Sequence, residues 1–276
     1  MKGRGIVGLC ERAGMSRQNY YACRRRRQRG HVDDGLIVGL VRRERQQQPR
    51  LGGRKLLHML GGELAENDVH VGRDRFFEVL RDHDMLVARK PSRARTTNSR
   101  HSLPVFRNLV ADREVTGPNE VWVSDMTYIR TEEGFLFSAL ITDKFSRKIV
   151  GSHIGDSLET EGCIRALDEA MGTLPRDLHP IHHSDRGCQY CCHAYVERLQ
   201  ERGLGISMTE TLHCYENALA ERVNGIVKQE YELDRRFRTK EQAILAFREA
   251  VWLYNNRRPH MALGYRTPAE VHGQAA

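Results

Sequence analysis

Three acidic side chains stand out by their positions in the sequence. Asp125 lies inside the apolar run VWVSDMTYI, where the period-two alternation of a strand places it on one face with Val121 and Val123. Asp185 ends the apolar stretch IHHSD, where a strand gives way to a loop. Glu221 lies in YENALAERVNG, near the predicted beginning of a helix. An ionised carboxylate among apolar neighbours is costly unless a positive group offsets its charge. Each aspartate alone could instead be a turn or capping residue, and for Asp185 alone that interpretation is the stronger one.

Glu221, and not Glu216, is predicted to be the functional glutamate of this segment. Lys228 follows Glu221 by seven residues, which is two helical turns along one face. A cation at that place can hold a DNA phosphate beside an acidic site. Glu216 precedes Asn217 and is expected to favour the helix start, where negative charge is stabilising.

The order and spacing of four motifs resemble the integrase-type core of insertion-sequence transposases. The motifs are WVSDMTYI, HHSDRGCQY, YENALAERVNGIVKQEY and LYNNRRPHMALGYRTPAEV. Within that family the chain resembles the group of insertion sequence three, and specifically its second-frame product, OrfB. The resemblance implies a ribonuclease-H-like core with Asp125, Asp185 and Glu221 as catalytic residues and metal ligands, and with Lys228 in contact with DNA. The sequence departs from the family at Glu216, where the family has an aspartate.

Three carboxylates brought together in this way require a cation. They repel one another by on the order of 1 kcal/mol per pair in water, and by several at lower effective dielectric. Ligands that are all oxygen favour Mg²⁺ or Mn²⁺. Two such ions roughly 4 Å apart activate an attacking oxygen and stabilise a leaving oxygen in phosphoryl transfer. The expected cofactor of the three carboxylates is therefore a pair of Mg²⁺ or Mn²⁺ ions.

The elements that must position these acids form a predicted mixed α/β core at residues 118–256. Three β-branched and aromatic-rich runs, joined by short polar turns, predict an antiparallel meander. Alternating helices and strands follow, so we expect a mixed sheet flanked by helices. The predicted strands are 121–129, 135–142, 148–154, 180–183 and 206–209, and the predicted helices are 159–172, 190–202, 217–231 and 240–255.

The first 88 residues predict a small, basic, all-α region of the helix-turn-helix kind. Ser16 is a candidate N-cap of a short second helix that carries Tyr20 and Tyr21. That helix leads into Arg24, Arg25, Arg26 and Arg27, which are candidate phosphate contacts. A solvated helical hairpin is the alternative. A second pair of short helices is predicted around Leu56–Leu64 and Phe76–Leu80.

Charge is divided unevenly along the chain. Residues 1–100 carry 23 Lys and Arg against 11 Asp and Glu, a net charge of +12, and the remainder carries 21 against 25, a net charge of −4. This division favours an anionic polymer such as DNA as the partner of the first part, with a solvated basic surface as the alternative. Residues 89–117 are predicted to be a basic linker and 257–276 a C-terminal tail. Arg257, Arg258 and His260 at the start of that tail are further candidate DNA contacts.

Other site types fit the sequence less well. The run CQYCCH at 188–193 lacks a second ligand pair at zinc spacing. Ser184 and His183 are adjacent on a strand and point to opposite faces, so they cannot form a nucleophilic pair. With no apolar run of membrane length and no secretory signal pattern, a cytoplasmic protein with reduced thiols is expected.

The predicted function is that of a DNA transposase which nicks element ends and joins the freed 3′-hydroxyls to DNA. Its expected partners are element-end and target DNA, a second copy of itself on DNA, and the first-frame product, OrfA. Two alternatives stay open at this stage: a non-catalytic or repurposed DNA-binding copy, and a ribonuclease-H-like nuclease that cuts without joining.

Overall fold

The structure, a computed structural model, describes residues 5–88, 103–210 and 216–274. The chain divides into two compact units, one of residues 1–47 and 51–88 and one of residues 48–50 and 89–276. Residues 89–102 of the predicted linker lie outside the described residues. The finer division into DNA-binding region, linker, core and tail stays a prediction. Within the described ranges, no helix has the length and apolar character needed to cross a membrane.

The first unit is all helical, as the sequence predicts, but its second helix is long. After α1 (Gly5–Arg12), α2 runs unbroken over Arg17–Gln47 and includes the arginine run. Ser16 caps it as expected, since its Oγ accepts a hydrogen bond of 3.1 Å from the backbone N–H of Asn19. The expectation of a short second helix is wrong because apolar residues continue at helical spacing further along, and Pro49 comes only after the helix ends.

Two shorter helices complete the first unit and confirm the predicted second pair. These are α3 (Gly53–Glu66) and α4 (Arg73–Asp82). One face of each packs against the C-terminal half of α2. The buried side chains of this core include Ile37, Val41, Leu56, Leu60, Phe76 and Leu80.

The second unit is built on a six-stranded mixed sheet. Its strands are β1 (Val121–Thr131), β2 (Gly134–Asp143), β3 (Ile149–Gly155), β4 (Ile181–Ser184), β5 (Gly205–Met208) and β6 (Arg236–Phe237). The order is β3-β2-β1-β4-β5, and β6 also pairs with β1. β1, β2 and β3 form the predicted antiparallel meander, whereas β4, β5 and β6 run parallel to their neighbours. This arrangement confirms the expected ribonuclease-H-like mixed sheet.

Helices α5 (Thr160–Thr173), α6 (Cys188–Cys191) and α7 (His193–Glu201) cover one face of the sheet. α5 lies very close to β3, since a Cβ added at Gly151 would come within 2.1 Å of the carbonyl oxygen of Ala166. The single helix predicted at 190–202 is wrong, because Cys192 is extended and separates α6 from α7.

Helices α8 (Ala218–Glu230) and α9 (Lys240–Asn256) cover the other face. Thr239 is the N-cap of α9, because its Oγ1 accepts a hydrogen bond of 3.2 Å from the Gln242 N–H. The predicted tail contains a further helix, α10 (Pro268–Gln274), whose Val271 is buried. The two-residue β6 and this last helix were missed, since neither carries enough residues for a periodic pattern.

Candidate active site

Asp125 lies in the middle of β1, on the face that α8 covers. Val121 and Val123 share this face and pack with Ala220 of α8, which confirms the predicted alternation. Both carboxylate oxygens of Asp125 accept hydrogen bonds of 2.9 Å, Oδ1 from the Met126 N–H and Oδ2 from Asn224 Nδ2. The side chain is therefore held in one orientation while half-buried.

Asp185 follows directly after β4. Because β4 pairs in parallel with β1 through Val121–Val123, the chain leaves β4 beside the middle of β1. Asp185 Oδ1 accepts a hydrogen bond of 2.9 Å from the Gly187 N–H, which closes a tight turn and fixes the carboxylate. Asp125 and Asp185 line the same pocket, which has a volume of about 580 Å³.

Glu221 occupies the first turn of α8 and is exposed. The start of this helix is fixed to β1, since Asn217 Nδ2 donates a hydrogen bond of 2.9 Å to the Ser124 carbonyl. Glu221 does not line the pocket that holds the two aspartates. The structure therefore brings Asp125 and Asp185 together and places Glu221 on the neighbouring helix.

Burial and the negative charges of the other two acids both affect the pKa of Asp125. The pKa of Asp125 is raised to about 7, chiefly because burial disfavours its charged form. The hydrogen bond from Asn224 opposes this rise, while the negative charges of Asp185 and Glu221 add to it. In the described ranges, no three His, Cys, Asp or Glu side chains lie close enough together to hold a metal ion.

The donor chemistry of these three residues nevertheless fits a hard divalent cation. All three offer carboxylate oxygens, and each oxygen of Asp125 accepts only one of the hydrogen bonds described above, which leaves it further lone pairs. A cation near Asp125 would offset the charge repulsion that raises its pKa. A metal site with all three carboxylates as ligands requires the exposed Glu221 side chain to move toward Asp125.

Lys228 lies on α8 where the sequence predicted it, two turns beyond Glu221. Its ammonium donates a hydrogen bond of 3.1 Å to Thr127 Oγ1 and lies 4.1 Å from the centre of the Tyr128 ring. Asn224 and Lys228 thus make two successive contacts from α8 to β1. Sequence reasoning missed Asn224, although its spacing of three residues from Glu221 and four from Lys228 places it on the same helix face.

Glu216 has a different role from Glu221. It precedes α8, and its carboxylate accepts hydrogen bonds from Asn108 Nδ2 at 3.2 Å and from the Glu210 N–H. These bonds join the segment before α8 to two other loops. Glu216 therefore does more than stabilise the helix start, which was its predicted role.

The candidate DNA contacts of the C-terminal segment divide into two groups. Arg257 is exposed, as a phosphate contact requires. Arg258 is only 4% exposed and makes two hydrogen bonds to Glu230, of 2.7 and 2.8 Å. His260 is also buried and packs edge-to-face on Tyr254 at 5.0 Å between ring centres. Direct DNA contact is therefore the wrong role for Arg258 and His260, because both side chains are buried and pack inside the second unit.

The arginine run lies on α2 in the first unit. Arg24 and Arg25 are exposed on this helix. The side chains of Arg26 and Arg27 lie outside the described part of the structure. A continuous helix spreads four successive arginines around its circumference, so they cannot all face one surface.

Two family models described as integrase core domains match the second unit, at residues 115–214 and 202–268. The 31 kDa protein of insertion element IS600 from Shigella sonnei is 35% identical over 265 residues, which cover 95% of this chain and 96% of that protein. The transposase of insertion sequence IS629 from the same species is 32% identical, over 97% of this chain and 91% of the relative. The transposase InsF of IS3A from Escherichia coli K12 is 29% identical, over 78% and 75%.

Solved structures give more distant similarities. The catalytic core domain of HTLV-2 integrase in complex with magnesium, in its dimeric form, aligns with 56% of this chain and 97% of its own, at 21% identity and a TM-score of 0.45. A chain of the simian T-cell lymphotropic virus intasome, in complex with the PP2A regulatory subunit B56 gamma, aligns over 80% and 70% at 18% identity and a TM-score of 0.49.

Proposed function

The chain belongs to the insertion-sequence transposases that carry an integrase core, in the group of insertion sequence three, and we propose that Asp125, Asp185 and Glu221 form its active site. Enzymes of this family are polynucleotidyl transferases. The proposed reaction is nicking at the 3′ ends of the element, followed by attack of the freed hydroxyl on a target phosphodiester. The observation that carries the assignment is the meeting of Asp125 and Asp185 in one pocket, next to the helix that carries Glu221 in its first turn.

We propose Mg²⁺ or Mn²⁺, as a pair of ions, for this site. Asp125, Asp185 and Glu221 would hold them through carboxylate oxygens. Bound there, divalent ions supply charge neutralisation for an in-line displacement at phosphorus. The magnesium named for the HTLV-2 integrase core is consistent with this choice.

The residues of the chain itself supply orientation. Asn224 donates a hydrogen bond to Oδ2 of Asp125 and so fixes the orientation of a carboxylate that lines the pocket. Lys228, held beside Thr127, places a positive charge near the site where a DNA phosphate is expected. Because water and then a DNA hydroxyl act as nucleophiles, no side chain forms a covalent bond to DNA.

DNA binding is proposed for both units. In the first unit, Arg24, Arg25, Arg26 and Arg27 are proposed to contact phosphates. In the second unit, Lys228 and Arg257 are proposed to do so. Such contacts are largely independent of sequence and weaken steeply as salt is raised. We also propose a homo-oligomer on DNA and a first-frame product as accessory partner.

The decisive experiment compares wild type with Glu221→Gln on labelled element-end DNA in Mg²⁺, with the first-frame product present. Wild type is expected to give nicked and joined strands, and Glu221→Gln neither. Glu216→Gln is the matched control, because it alters a nearby glutamate outside the proposed site and is expected to retain activity. Equal products from wild type and Glu221→Gln would refute the assignment. Cleavage without joining would favour a nuclease, and binding without cleavage a non-catalytic copy.

A further inference from the structure

The active-site pocket has an apolar end that the catalytic acids do not explain. Tyr128, Phe135 and Phe137, which we name the aromatic wall, line the pocket together with Leu158. The two aspartates line the same pocket. The volume of about 580 Å³ falls in the range of roughly 300–1,000 Å³ that is usual for small-molecule sites.

The aromatic wall belongs to a part of the sheet face that none of the described helices covers. Tyr128 pairs directly with Phe137 across β1 and β2, and Arg130 pairs with Phe135, so these side chains share one face. Nearer the middle of the same face, Met126 and Ala139 pack under α5. Phe135 is 52% exposed and Leu158 is 50% exposed, so the fold leaves this apolar surface accessible to a ligand.

The open edge of β1 joins this wall to the acids. β1 pairs with β4 over Val121–Val123 and with β6 over Arg130–Thr131. Between these two pairings, the described part of the sheet gives residues 124–129 no strand neighbour on that side. The pocket is lined by side chains from both faces of the strand, Asp125 on one and Tyr128 on the other.

Positive charge lies around the ring of Tyr128. The Lys228 ammonium is 4.1 Å and the Arg130 guanidinium carbon 5.7 Å from the ring centre. Phe135 packs edge-to-face on Tyr128 at 5.7 Å. Flat apolar surfaces beside cations match a nucleotide, which joins a flat base to an anionic phosphate. An apolar protein segment would use the rings but would offer these cations no anion.

We propose that the aromatic wall is a stacking site for one unpaired nucleobase of the DNA strand held at Asp125 and Asp185. This proposal rests on the proposed function. The base must be unpaired because stacking in a duplex covers both faces of each base, so that only a terminal or extruded base presents a free face. Phe135, as the most exposed ring, is the principal stacking residue.

The test measures the affinity of full-length protein for element-end DNA by fluorescence anisotropy, with Glu221→Gln as the background. An abasic residue replaces, one at a time, the terminal 3′ nucleotide and each of the two nucleotides that precede it in the same strand. The intact base should bind roughly tenfold more tightly than the abasic residue at one of these positions, as stacking on one ring predicts. Phe135→Ala should reduce that ratio to about one, and Phe135→Trp should preserve it. The matched control is Trp252→Ala, an exposed aromatic on α9, which should leave the ratio unchanged.

Two results would overturn the stacking site: no preference for the intact base at any position, or a preference that survives Phe135→Ala. Sedimentation of the same variants tests a second copy as the occupant. A lower oligomeric mass in Phe135→Ala with an unchanged base preference would assign the wall to that copy. The proposed function is tested separately by products from the wild type. Normal cutting and joining without a base preference would refute only the stacking site, and a base preference without products would refute only the proposed function.

Discussion

Asn224 of α8 donates a hydrogen bond of 2.9 Å to Oδ2 of Asp125 in the middle of β1. This contact fixes the orientation of the proposed catalytic carboxylate and joins the helix of Glu221 to the strand of Asp125. Asn224 is itself buried, so the contact is made away from bulk water, where a hydrogen bond to a charged group is stronger.

Asn224→Ala is expected to slow DNA cleavage at least tenfold. A hydrogen bond to a charged group contributes about 1.5–3 kcal/mol, and its loss frees the carboxylate of Asp125 to rotate. Rates of nicking under single-turnover conditions measure the effect. Asn256→Ala, at an exposed position on α9, is the control. The orienting role of Asn224 would be contradicted by an unchanged nicking rate in a variant that folds normally.

Lys228→Met is expected to weaken DNA binding and to reduce the slope of log affinity against log salt by about one. The change removes the positive charge that lies 4.1 Å from the ring of Tyr128, and one lost phosphate contact releases about one counterion fewer. Titrations at several salt concentrations give the slope. Lys240→Met is the matched control, because Lys240 lies on a different helix, α9, and its ammonium pairs with Asp156 at 3.5 Å. An unchanged slope in Lys228→Met would exclude a phosphate contact.

Arg258→Met is expected to destabilise the second unit by about 3–5 kcal/mol. It leaves Glu230 without the guanidinium that pairs with it at 2.7 and 2.8 Å in a buried setting. Urea unfolding followed by fluorescence measures the loss. The exposed neighbour provides the comparison, since Arg257→Met should alter stability by less than about 0.5 kcal/mol. Similar stabilities for the two variants would contradict the structural role of Arg258.

The stability of the second unit is expected to fall as the pH drops below about 6.5. Burial lowers the pKa of His182 to about 3 and that of His183 to about 4, so both imidazoles stay neutral in the folded protein. Tyr195 Oη and Ser207 Oγ lie 2.9 Å from His182 Nε2 and His183 Nδ1. The unfolded chain takes up protons near pH 6.5. Protonation of these two imidazoles therefore reduces stability between that pH and about pH 4, by up to about 2.7 kcal/mol per pH unit, and the raised pKa of Asp125 offsets about half of this loss.

Urea unfolding at a series of pH values measures this dependence. His182→Gln removes one of the two titrating imidazoles and should reduce the slope by about 1.4 kcal/mol per pH unit, which is the contribution of one proton. His179→Gln is the control, because His179 lies outside β4 and is less buried. A slope that is the same in wild type and His182→Gln would show that other groups cause the loss of stability.

Much of the core was predictable from local patterns. The alternation in VWVSDMTYI assigned Asp125 to the face of Val121 and Val123, and the observed packing with Ala220 confirms it. The short polar turns predicted the meander, since strands joined so tightly have to be antiparallel. The length of α2 was not predictable from its polar first half, because the apolar face that keeps it helical begins only near Ile37.

The sequence by itself determined the family and the succession of strands and helices along the chain, and it predicted the three acids, because motifs and periodicity are local properties of the chain. Only the tertiary structure decided which side chains meet. It paired Arg258 with Glu230 and joined Asn224 to Asp125 by a hydrogen bond. It also brought the aromatic wall, with its exposed Phe135, into the pocket that Asp125 lines. Such contacts join residues separated by tens of positions, so they depend on how the helices pack on the sheet, which no local pattern encodes.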